Sequence, residues 1–397
     1  MRSFIAVGTA ALTISCLVTP WVRRLAFRVN ACVEPGGRHI HSSRIPRLGG
    51  LAVVIAFLLP LILLASTESA VAQILLSRPW LLTGLVCGSL MMVTLGIVDD
   101  IRGVRAATKL WVQCATGLFA FACGFRIESI HLPLLGSLDF GLFSVFVTVF
   151  WIVAITNALN LIDGLDGLAA GIAFFACVTN IIVSALNGSV LVTLLSVCLA
   201  GAILGFLLYN FNPASIFMGD TGSMFLGFVL ALTSMYGASV KSSTTVAILV
   251  PILALGLPIL DTTFALLRRF LERRPLFSPD RGHIHHQLLA LGITHRRAVL
   301  ILYAVSLSMA AGSILVATGR DWHVGAILAS ISLFLVLLYR GVSKRLYSDR
   351  QARERAAAAL VQAAPPAAAA LPRRPAPAMR SARGSVRQEL STGSIES

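Results

Sequence analysis

The sequence predicts an all-α polytopic membrane protein with about eleven transmembrane helices. Of its 397 residues, 57% are hydrophobic and only 12% are charged, and the mean hydropathy is +0.85. A soluble chain of this length could not enclose so large an apolar fraction in one core. The apolar residues also fall into runs of roughly 17 to 25 residues, the length that an α-helix needs to cross a bilayer.

Eleven apolar runs are the predicted spans. In chain order they cover residues 4–22, 48–66, 81–98, 109–124, 142–158, 168–186, 190–209, 222–238, 244–267, 298–317 and 324–340. The first run is expected to be a retained span, because no convincing small-residue cleavage site follows it. Between the fourth and fifth runs, residues 126–141 alternate polar and apolar side chains around Pro133 and Gly136, which predicts a short hairpin on the membrane surface.

The basic residues predict which side of the membrane each connecting segment faces. Segments 23–47, 99–109 and 268–297 together hold sixteen Lys and Arg residues, whereas the segments expected on the opposite side hold four. Cytoplasmic loops carry such an excess of Lys and Arg. We therefore expect the N-terminus outside and the C-terminus in the cytoplasm.

The chain is expected to comprise an integral membrane domain, residues 1–340, and a cytoplasmic tail, residues 341–397. The tail is basic and rich in Ala and Pro. Because it has too little apolar diversity to pack, it is predicted to be largely disordered. It carries much of the formal net charge of +15, which suits contact with an anionic inner leaflet. No nucleic-acid partner is predicted.

The most polar motif within the apolar region is NALNLIDGLDGLAAG. Asn157, Asn160, Asp163 and Asp166 recur every three residues, which would place them on one face of a helical turn. Carboxylates at a membrane boundary are costly unless they are paired, hydrated or coordinated. The motif therefore predicts a binding or catalytic site, with a solvated polar loop as the alternative.

A second acidic motif, VDDIRG, ends the third apolar run. Its adjacent carboxylates, Asp99 and Asp100, repel each other, which raises one pKa and suits a general base or a metal-binding pair. Lys109 begins the next run and could bind a phosphate or neutralise the pair. The alternative is that Lys109 only extends its charged end to the membrane interface, since such a lysine would stand at the same position in the sequence.

The motif NFNPASIFMGDTGS is typical of a phosphate or metal loop. Asp220 is flanked by glycines, and Thr221 and Ser223 can cap the following helix, whose N-terminus favours anions. Mg²⁺ takes one or two carboxylates together with waters and substrate phosphates, so Asp220 alone can supply the protein ligand. Phe217 could stack on a base, with an interfacial aromatic residue as the alternative.

The segment SPDRGHIHHQLL places Arg281, His283, His285 and His286 within six residues. Three histidines can indicate zinc, but no other zinc-type ligand lies nearby in the sequence. Arginine and histidine on a glycine-containing loop suit a pyrophosphate better. Asp261, in PILDTT, is either a supporting carboxylate for this site or only a paired one.

All of these motifs lie on the side predicted to be cytoplasmic. Helices of one bundle bring their same-side ends together, so the motifs are expected to converge on one active-site cleft at the cytoplasmic face. A cation-coupled transporter, the alternative from another class, would concentrate its polar groups near the middle of the bilayer. A membrane scaffold would explain the basic tail but not four polar motifs. The arrangement predicts an enzyme with one substrate in the cytosol and another in the membrane.

Asp99-Asp100, NALNLIDGLDGL, FMGDTGS and HIHH, in this order, resemble the motifs of the polyprenyl-phosphate N-acetylhexosamine-1-phosphate transferases (glycosyltransferase family 4). Lys109 and RIPRLGG also look like family elements, and the resemblance covers about residues 1–340. The HIHH form is similar to the WecA/TagO-like branch, which uses UDP-GlcNAc or a related UDP-HexNAc. It is less similar to the MraY-like phospho-MurNAc-pentapeptide branch, which is the alternative. Arg47 departs from the family pattern, which often has Thr or a small residue there.

The resemblance implies a phosphotransferase of the bacterial cytoplasmic (inner) membrane. It would transfer a HexNAc-1-phosphate, GlcNAc-1-phosphate first, from a UDP-sugar to undecaprenyl phosphate and release UMP, which initiates cell-envelope polysaccharide synthesis. The implied cofactor is Mg²⁺, with Mn²⁺ as a substitute. The implied partners are the UDP-sugar donor, the undecaprenyl phosphate acceptor and the lipid bilayer, and a homodimer is also considered.

The resemblance also implies a role for each site residue. The expected catalytic residues are Asp99 (the favoured base), Asp100, Asp163 and Asp166, and the expected metal ligands are Asp220 and Asn160. The expected substrate-binding residues are Lys109, Asn157, Asn210, Phe217, Arg281, His283, His285 and His286. A direct attack of the polyprenyl phosphate on the β-phosphorus of the donor is favoured, and a two-step route through a covalent intermediate stays open.

Overall fold

The first of two units in the chain contains the helices and all the candidate site residues. The computed structural model describes residues 1–33, 44–132, 136–239, 246–273, 282–318 and 340, with a few isolated residues beyond 340. Contacts between Cα atoms divide the chain into Met1–Lys344 and Arg345–Ser397. The predicted boundary after residue 340 and the predicted disorder of the tail stay predictions, because most of the tail lies outside the described residues.

The described residues of the first unit form helices and two short antiparallel strand pairs. The helices are α1 (Arg2–Arg28), α2 (Gly50–Ala65), α3 (Ala70–Leu76), α4 (Pro79–Arg102), α5 (Ala106–Ala122), α6 (Ser144–Ile162), α7 (Leu168–Leu186), α8 (Val190–Asn210), α9 (Gly219–Ser239), α10 (Val246–Ala254), α11 (Gly256–Leu271), α12 (Ile284–Ala290) and α13 (His295–Thr318). Strand β1 (Cys32–Val33) pairs with β2 (Ile45–Pro46), and β3 (Ser129–Leu132) pairs with β4 (Gly136–Asp139).

The helices support a polytopic membrane protein. Six of them are long and apolar enough to cross a membrane, and the number becomes seven if α2 and α3, bent by 110°, form one broken span. Ten of the eleven predicted runs coincide with described helices, and the run 324–340 lies outside the described residues except for Arg340. The run 244–267 is not one helix, because it breaks at Leu255 into α10 and α11. The count of eleven and the orientation stay predictions.

The hairpin predicted between the fourth and fifth runs is present. In it, Ser129 pairs with Asp139 and Ile130 with Leu138. Residues 133–135, which include the predicted turn proline, lie outside the described residues. The position of this hairpin relative to the membrane stays a prediction.

Helix α9 lies at the centre of the unit and packs on α2, α4 and α6. Phe225 and Phe228 are fully buried in its middle, and the Phe225 ring meets Phe57 of α2 edge-on, with 5.6 Å between ring centroids. Gly88 of α4 leaves room for the Phe228 ring. Because lipid tails are as apolar as this core, close packing rather than transfer from water stabilises such contacts.

Small residues also place the N-terminus of α9 beside the C-terminal end of α4. Gly96 of α4 lies against the backbone of Thr221, and Gly50 of α2 lies against Gly222, so a Cβ at either glycine would overlap the α9 backbone. The first turn of α9 is thereby held between two helices. This packing brings Asp99 and Asp100 next to Asp220.

Candidate active site

A lysine between two carboxylates forms the centre of the candidate site. Lys109 Nζ, at the start of α5, lies 2.6 Å from Asp99 Oδ2 and 2.6 Å from Asp220 Oδ2. The other oxygen of Asp99 accepts a hydrogen bond of 2.6 Å from the backbone N–H of Val104. All three charged side chains are between 12% and 23% exposed, so solvent reaches the group. The cluster therefore has carboxylate oxygens and a cation at one accessible surface.

Asp100 has the contacts of a helix cap. Its carboxylate accepts hydrogen bonds from the backbone N–H groups of Asp220 and Thr221, both at 3.0 Å, and from the Thr221 hydroxyl at 2.7 Å. Free N–H groups at a helix N-terminus favour such an anion. Asp100 is 7% exposed and fixes the turn that presents Asp220. Its predicted catalytic role stays a prediction.

The RIPRLGG segment forms the second support of the same turn. The backbone N–H of Phe217 donates to Pro46 at 2.8 Å, and Gly49 and Gly50 donate to the carbonyls of Phe217 and Met218 at 2.9 and 2.8 Å. Gly219 has a φ of +70°, and a Cβ there would meet the Arg47 carbonyl and the Asp100 carboxylate. Only glycine suits this position. The backbone thus fixes Phe217 and leaves its side chain half-buried.

Asp163 lies opposite this turn, in the connection between α6 and α7. The pKa of its carboxyl is raised to about 8, mainly by desolvation and then by the nearby carboxylates of Asp220 and Asp100, while Arg47 opposes the rise. Within the described part of the chain, no hydrogen bond to the Asp163 side chain is found. A half-buried carboxylate without a partner, facing other carboxylates, is a place where a cation would bind.

The predicted shared face of the NALNLIDGLDGL motif is wrong for its last two polar residues. Helix α6 ends at Ile162, and Gly167 adopts a φ of +78° before α7 begins, so Asp163 and Asp166 lie on a loop. The two asparagines do lie on α6, and they contact different neighbours. Asn157 donates to Gln113 of α5 at 2.7 Å, and Asn160 donates to Ser223 of α9 at 2.9 Å.

Asp166 connects this loop to the segment that precedes α9. Its Oδ2 accepts hydrogen bonds from the Asn212 side chain at 2.9 Å and from the backbone N–H of Ala214 at 3.1 Å. Its own backbone N–H donates to the His295 ring at 2.9 Å. In the same segment, the Asn210 side chain donates to the carbonyl of Ile216 at 3.0 Å and is 2% exposed. These contacts position loops; the predicted catalytic role of Asp166 and the substrate contact of Asn210 stay predictions.

The histidine motif lies at the start of α12 and reaches the same loop. His283 is buried and pairs with Asp261 of α11, with 2.8 Å between Nδ1 and Oδ2. His285 is buried against Gly164, and its ring stacks on that of His283 with 5.7 Å between centroids. His286 is exposed. The predicted phosphate ligand Arg281 lies outside the described residues.

The pKa of His285 is lowered to about 3, mainly by burial and in smaller part by the neighbouring His286 and His283. The ring is therefore neutral at physiological pH. Its Nδ1 is buried and, among the described residues, has no hydrogen-bond partner. A ligand or a water molecule could satisfy this nitrogen, because a buried polar atom without a partner is costly.

Gly164→Ala is expected to lower turnover by roughly tenfold or more, because small displacements of site residues have large effects on rate. A Cβ at Gly164 would overlap the His285 ring and displace it from the Asp163 loop. The steady-state rate of purified variants measures the effect. Gly117→Ala is the control, since a Cβ there comes only to 3.3 Å from the Val149 side chain. Equal rates for both variants would contradict the placement of His285.

Sequence reasoning did not identify several residues that complete the site. Arg47 lies in RIPRLGG, where it is only a departure from the family pattern, and Asn212 lies in NFNPASIFMGDTGS, where its side chain has no predicted role. The spacing of residues in the sequence does not indicate two further contacts. His295 lies 129 residues from its partner Asp166, and Asp261 lies 22 residues from its partner His283.

The described residues contain no group of three or more His, Cys, Asp or Glu side chains arranged to hold a metal ion by themselves. Mg²⁺ does not require such a group, because it takes one or two carboxylates and completes its shell with waters and substrate phosphates. Asp220 and the unpartnered Asp163 fit that donor set. Asn160 lies close enough to bond the Asp220 side chain, so its amide can also orient this carboxylate.

Comparison with known proteins identifies the family. A family model described as glycosyl transferase family 4 matches residues 82–238. A Bacillus subtilis (strain 168) protein named probable undecaprenyl-phosphate N-acetylglucosaminyl 1-phosphate transferase is 36% identical over 342 residues, which are 85% of this chain and 89% of that protein. The decaprenyl-phosphate N-acetylglucosaminephosphotransferase of Mycolicibacterium smegmatis is 37% identical over 76% of this chain and 79% of that protein.

A phospho-N-acetylmuramoyl-pentapeptide-transferase of Moorella thermoacetica is 30% identical over 78% of this chain and 96% of that protein. The relatives named for N-acetylglucosamine are thus more similar than this one, in agreement with the prediction from the HIHH motif. The family predicted from the four motifs is confirmed. The chain is a transferase with several membrane-spanning helices, and it belongs to glycosyl transferase family 4.

Proposed function

We propose that the protein transfers a HexNAc-1-phosphate, GlcNAc-1-phosphate in the first place, from a UDP-sugar to undecaprenyl phosphate. The products are UMP and a lipid-pyrophosphate-sugar that initiates cell-envelope polysaccharide synthesis. The observation that carries the proposal is the contact of Lys109 with both Asp99 and Asp220. Carboxylates for a metal and cations for phosphates are the groups that phosphoryl transfer needs at one surface. The names of the relatives supply the sugar and the acceptor.

The proposed reaction is a direct displacement at phosphorus. A phosphate oxygen of undecaprenyl phosphate forms a bond to the β-phosphorus of the UDP-sugar, and the bond from that phosphorus to the oxygen of UMP breaks. Asp99 lies at the accessible end of α4 and would accept a proton if the acceptor phosphate carries one. Lys109 would bind a phosphate oxygen between the two carboxylates. A two-step route through a covalent intermediate is the alternative.

The proposed cofactor is Mg²⁺, for which Mn²⁺ could substitute. Asp220 would hold it, with Asp163 as a second carboxylate and Asn160 beside them. When bound, it would offset the negative charge of the pyrophosphate. Arg47, which opposes the rise in the Asp163 pKa, supplies a further positive charge beside this carboxylate.

The remaining predicted residues would bind and orient the substrates. Asn157 and Asn210 support the walls of the site through Gln113 and Ile216. Phe217 is half-buried and would stack on the uracil base. The histidine motif and Arg281 would bind phosphate, with the sugar under the same loop.

The proposed location is the bacterial cytoplasmic membrane, with about eleven spans and the site open to the cytoplasm. The Lys and Arg asymmetry between alternate segments supports this orientation, and so does the supply of UDP-sugars in the cytosol. The lipid bilayer is then the source of undecaprenyl phosphate. A homodimer is compatible with this arrangement. No contact within this single chain is used as support for it.

A donor comparison tests the proposed function. Purified protein with Mg²⁺ and undecaprenyl phosphate should release UMP fastest from UDP-GlcNAc, with a deoxy or epimeric UDP-HexNAc second. The segment that carries HIHH places Arg281 and three histidines within six residues, a composition that suits phosphate and a small amide sugar, so UDP-MurNAc-pentapeptide should be a poor donor. UMP release is measured for UDP-GlcNAc, UDP-GalNAc, a 6-deoxy UDP-HexNAc and the pentapeptide donor.

Two controls separate the alternatives. Omission of undecaprenyl phosphate should abolish UMP release, which distinguishes transfer from hydrolysis. A cation-coupled transporter would release no UMP from any donor. Fastest release from the pentapeptide donor would reject the GlcNAc branch and retain the family.

A further inference from the structure

Asp261 is a buried carboxylate that the proposed reaction does not use. It lies in α11 and is 1% exposed. Its Oδ2 lies 2.8 Å from His283 Nδ1, and its Oδ1 accepts from the backbone N–H of Ile284 at 2.9 Å and from Arg340 at 3.3 Å. Burial of a carboxylate costs much free energy unless its oxygens are bonded. Three donors from two other parts of the chain provide these bonds.

These contacts anchor the start of α12. His283 is the N-terminal cap residue of this helix, and its side chain makes no capping hydrogen bond. Asp261 supplies the missing acceptor from α11 by bonding the first N–H of α12, that of Ile284. The position of the HIHH segment therefore depends on a residue 22 positions earlier in the chain.

The same contact determines which nitrogen of His283 is available to a ligand. A carboxylate can only accept, so a 2.8 Å contact with Asp261 places a proton on Nδ1. Nε2 is then the ring nitrogen left for another partner, because within the described residues the His283 side chain has no second hydrogen bond. Its ring also stacks on His285, which lies against Gly164 beside Asp163. Asp261 is thus connected through two histidines to the acidic loop of the site.

We propose that Asp261 is a positioning residue, which holds His283 with Nδ1 protonated, so that Nε2, once it is protonated as well, donates a hydrogen bond to a phosphate oxygen of the substrates. The inference rests on the proposed function, because that reaction supplies the phosphate. The phosphate belongs either to the UDP-sugar or to undecaprenyl phosphate. A carboxylate bonded to one histidine nitrogen orients the ring and makes the other nitrogen more basic.

Asp261→Asn tests the inference. An amide has one acceptor oxygen, so at least one of the three donors loses its partner. We expect the KM of one substrate to rise roughly tenfold, since loss of such a supporting carboxylate has effects of that order. The KM for UDP-GlcNAc and the KM for undecaprenyl phosphate are measured separately, and the one that rises identifies the phosphate. Thr262→Val is the matched control, because it removes a buried hydroxyl of the same helix and should leave both values unchanged.

A double-mutant cycle separates positioning from a general structural role. Asp261→Asn, His283→Gln and the double variant are compared by the same KM values and by calorimetric affinity for UMP, which does not require turnover. If Asp261 acts through His283, the double variant is no weaker than His283→Gln alone. Multiplied losses in the double variant, or wild-type values for Asp261→Asn, would overturn the inference.

A measurement that does not need Asp261→Asn remains if that variant does not fold. In full-length protein labelled with ¹⁵N-histidine, with His283→Gln to assign the signal, the one-bond and two-bond N–H couplings identify the protonated nitrogen. A proton on Nδ1 is expected, and a proton on Nε2 alone would overturn the inference. If the wild-type protein releases no UMP, the proposed function is rejected. The N–H couplings would then still test the pairing of Asp261 with His283.

Discussion

Asp220→Asn is expected to reduce Mg²⁺-dependent UMP release by at least about a hundredfold, the order of effect seen when a preorganised electrostatic contact is removed. Asp220 lies in the first turn of α9, where the packing of α2 and α4 and the hydrogen bonds of Asp100 hold it in place. Asparagine has the same shape but no charge. The backbone contacts of the turn therefore remain, while the carboxylate that pairs with Lys109 and would hold the cation is lost.

The rate is measured over a series of Mg²⁺ concentrations, because a lost metal ligand should also raise the concentration needed for half-maximal rate. Asp139→Asn is the control: Asp139 is an exposed carboxylate of β4, and its neutralisation should change neither value. Thermal unfolding midpoints of both variants show whether the fold is retained. Wild-type turnover in a folded Asp220→Asn variant would reject the assignment of Asp220 to the metal.

The convergence of the motifs could be predicted from the sequence. Alternation of spans places every second connection on the same side of the membrane, and the ends of packed helices on one side must meet. Asp99 and Asp220, which are 121 residues apart, are therefore predicted to meet without any knowledge of which helices touch. The contact of Lys109 with both carboxylates agrees with it. The residue types of each motif and the alternation of the spans were sufficient for this prediction, because both can be identified from short segments of the sequence.

The path of the backbone inside a motif was harder to predict than the convergence of the motifs. A spacing of three residues in NALNLIDGLDGL is compatible with a helix, but α6 ends at Ile162. Gly164 and Gly167 are signals for a turn: the chain leaves α6 before Asp163 and enters α7 only after Gly167, whose φ is +78°. The apolar run 244–267 shows the same limit: its composition predicts one span, whereas the helix breaks at Leu255 between Pro251 and Pro258.

Pairings between distant residues were beyond sequence reasoning from one chain. The sequence predicts Asp261 either as a supporting carboxylate for the histidine site or only as a paired one, and its partner is a histidine of the HIHH motif. Asp166 is predicted to be catalytic, and the sequence gives no signal for the contacts of its Oδ2 with Asn212 and the backbone of Ala214. Such partners depend on how helices rotate when they pack, and residue type alone does not specify that rotation.

Lys109→Met is expected to lower turnover by roughly a hundredfold, because it removes a preorganised charge from the reaction site. In the wild-type protein, Nζ of Lys109 lies 2.6 Å from a carboxylate oxygen of Asp99 and 2.6 Å from one of Asp220. Methionine keeps the length and apolar stem of the side chain. Two like charges would then face each other in a partly buried site without a cation between them, which raises the free energy of the ionised pair.

Three comparisons make the cause of this loss testable. Arg105→Met removes a charge from an exposed residue at the same end of α5, so its turnover should stay within about twofold of wild type, as for other surface substitutions. Lys109→Arg restores the charge in a bulkier, planar group and should recover only part of the activity.

A raised Mg²⁺ concentration should recover part of the Lys109→Met activity if Lys109 mainly neutralises the carboxylates. If Lys109 mainly binds a substrate phosphate, the KM of that substrate rises and added Mg²⁺ has no effect. Wild-type turnover of Lys109→Met would remove this lysine, and the cluster built around it, from the proposed reaction.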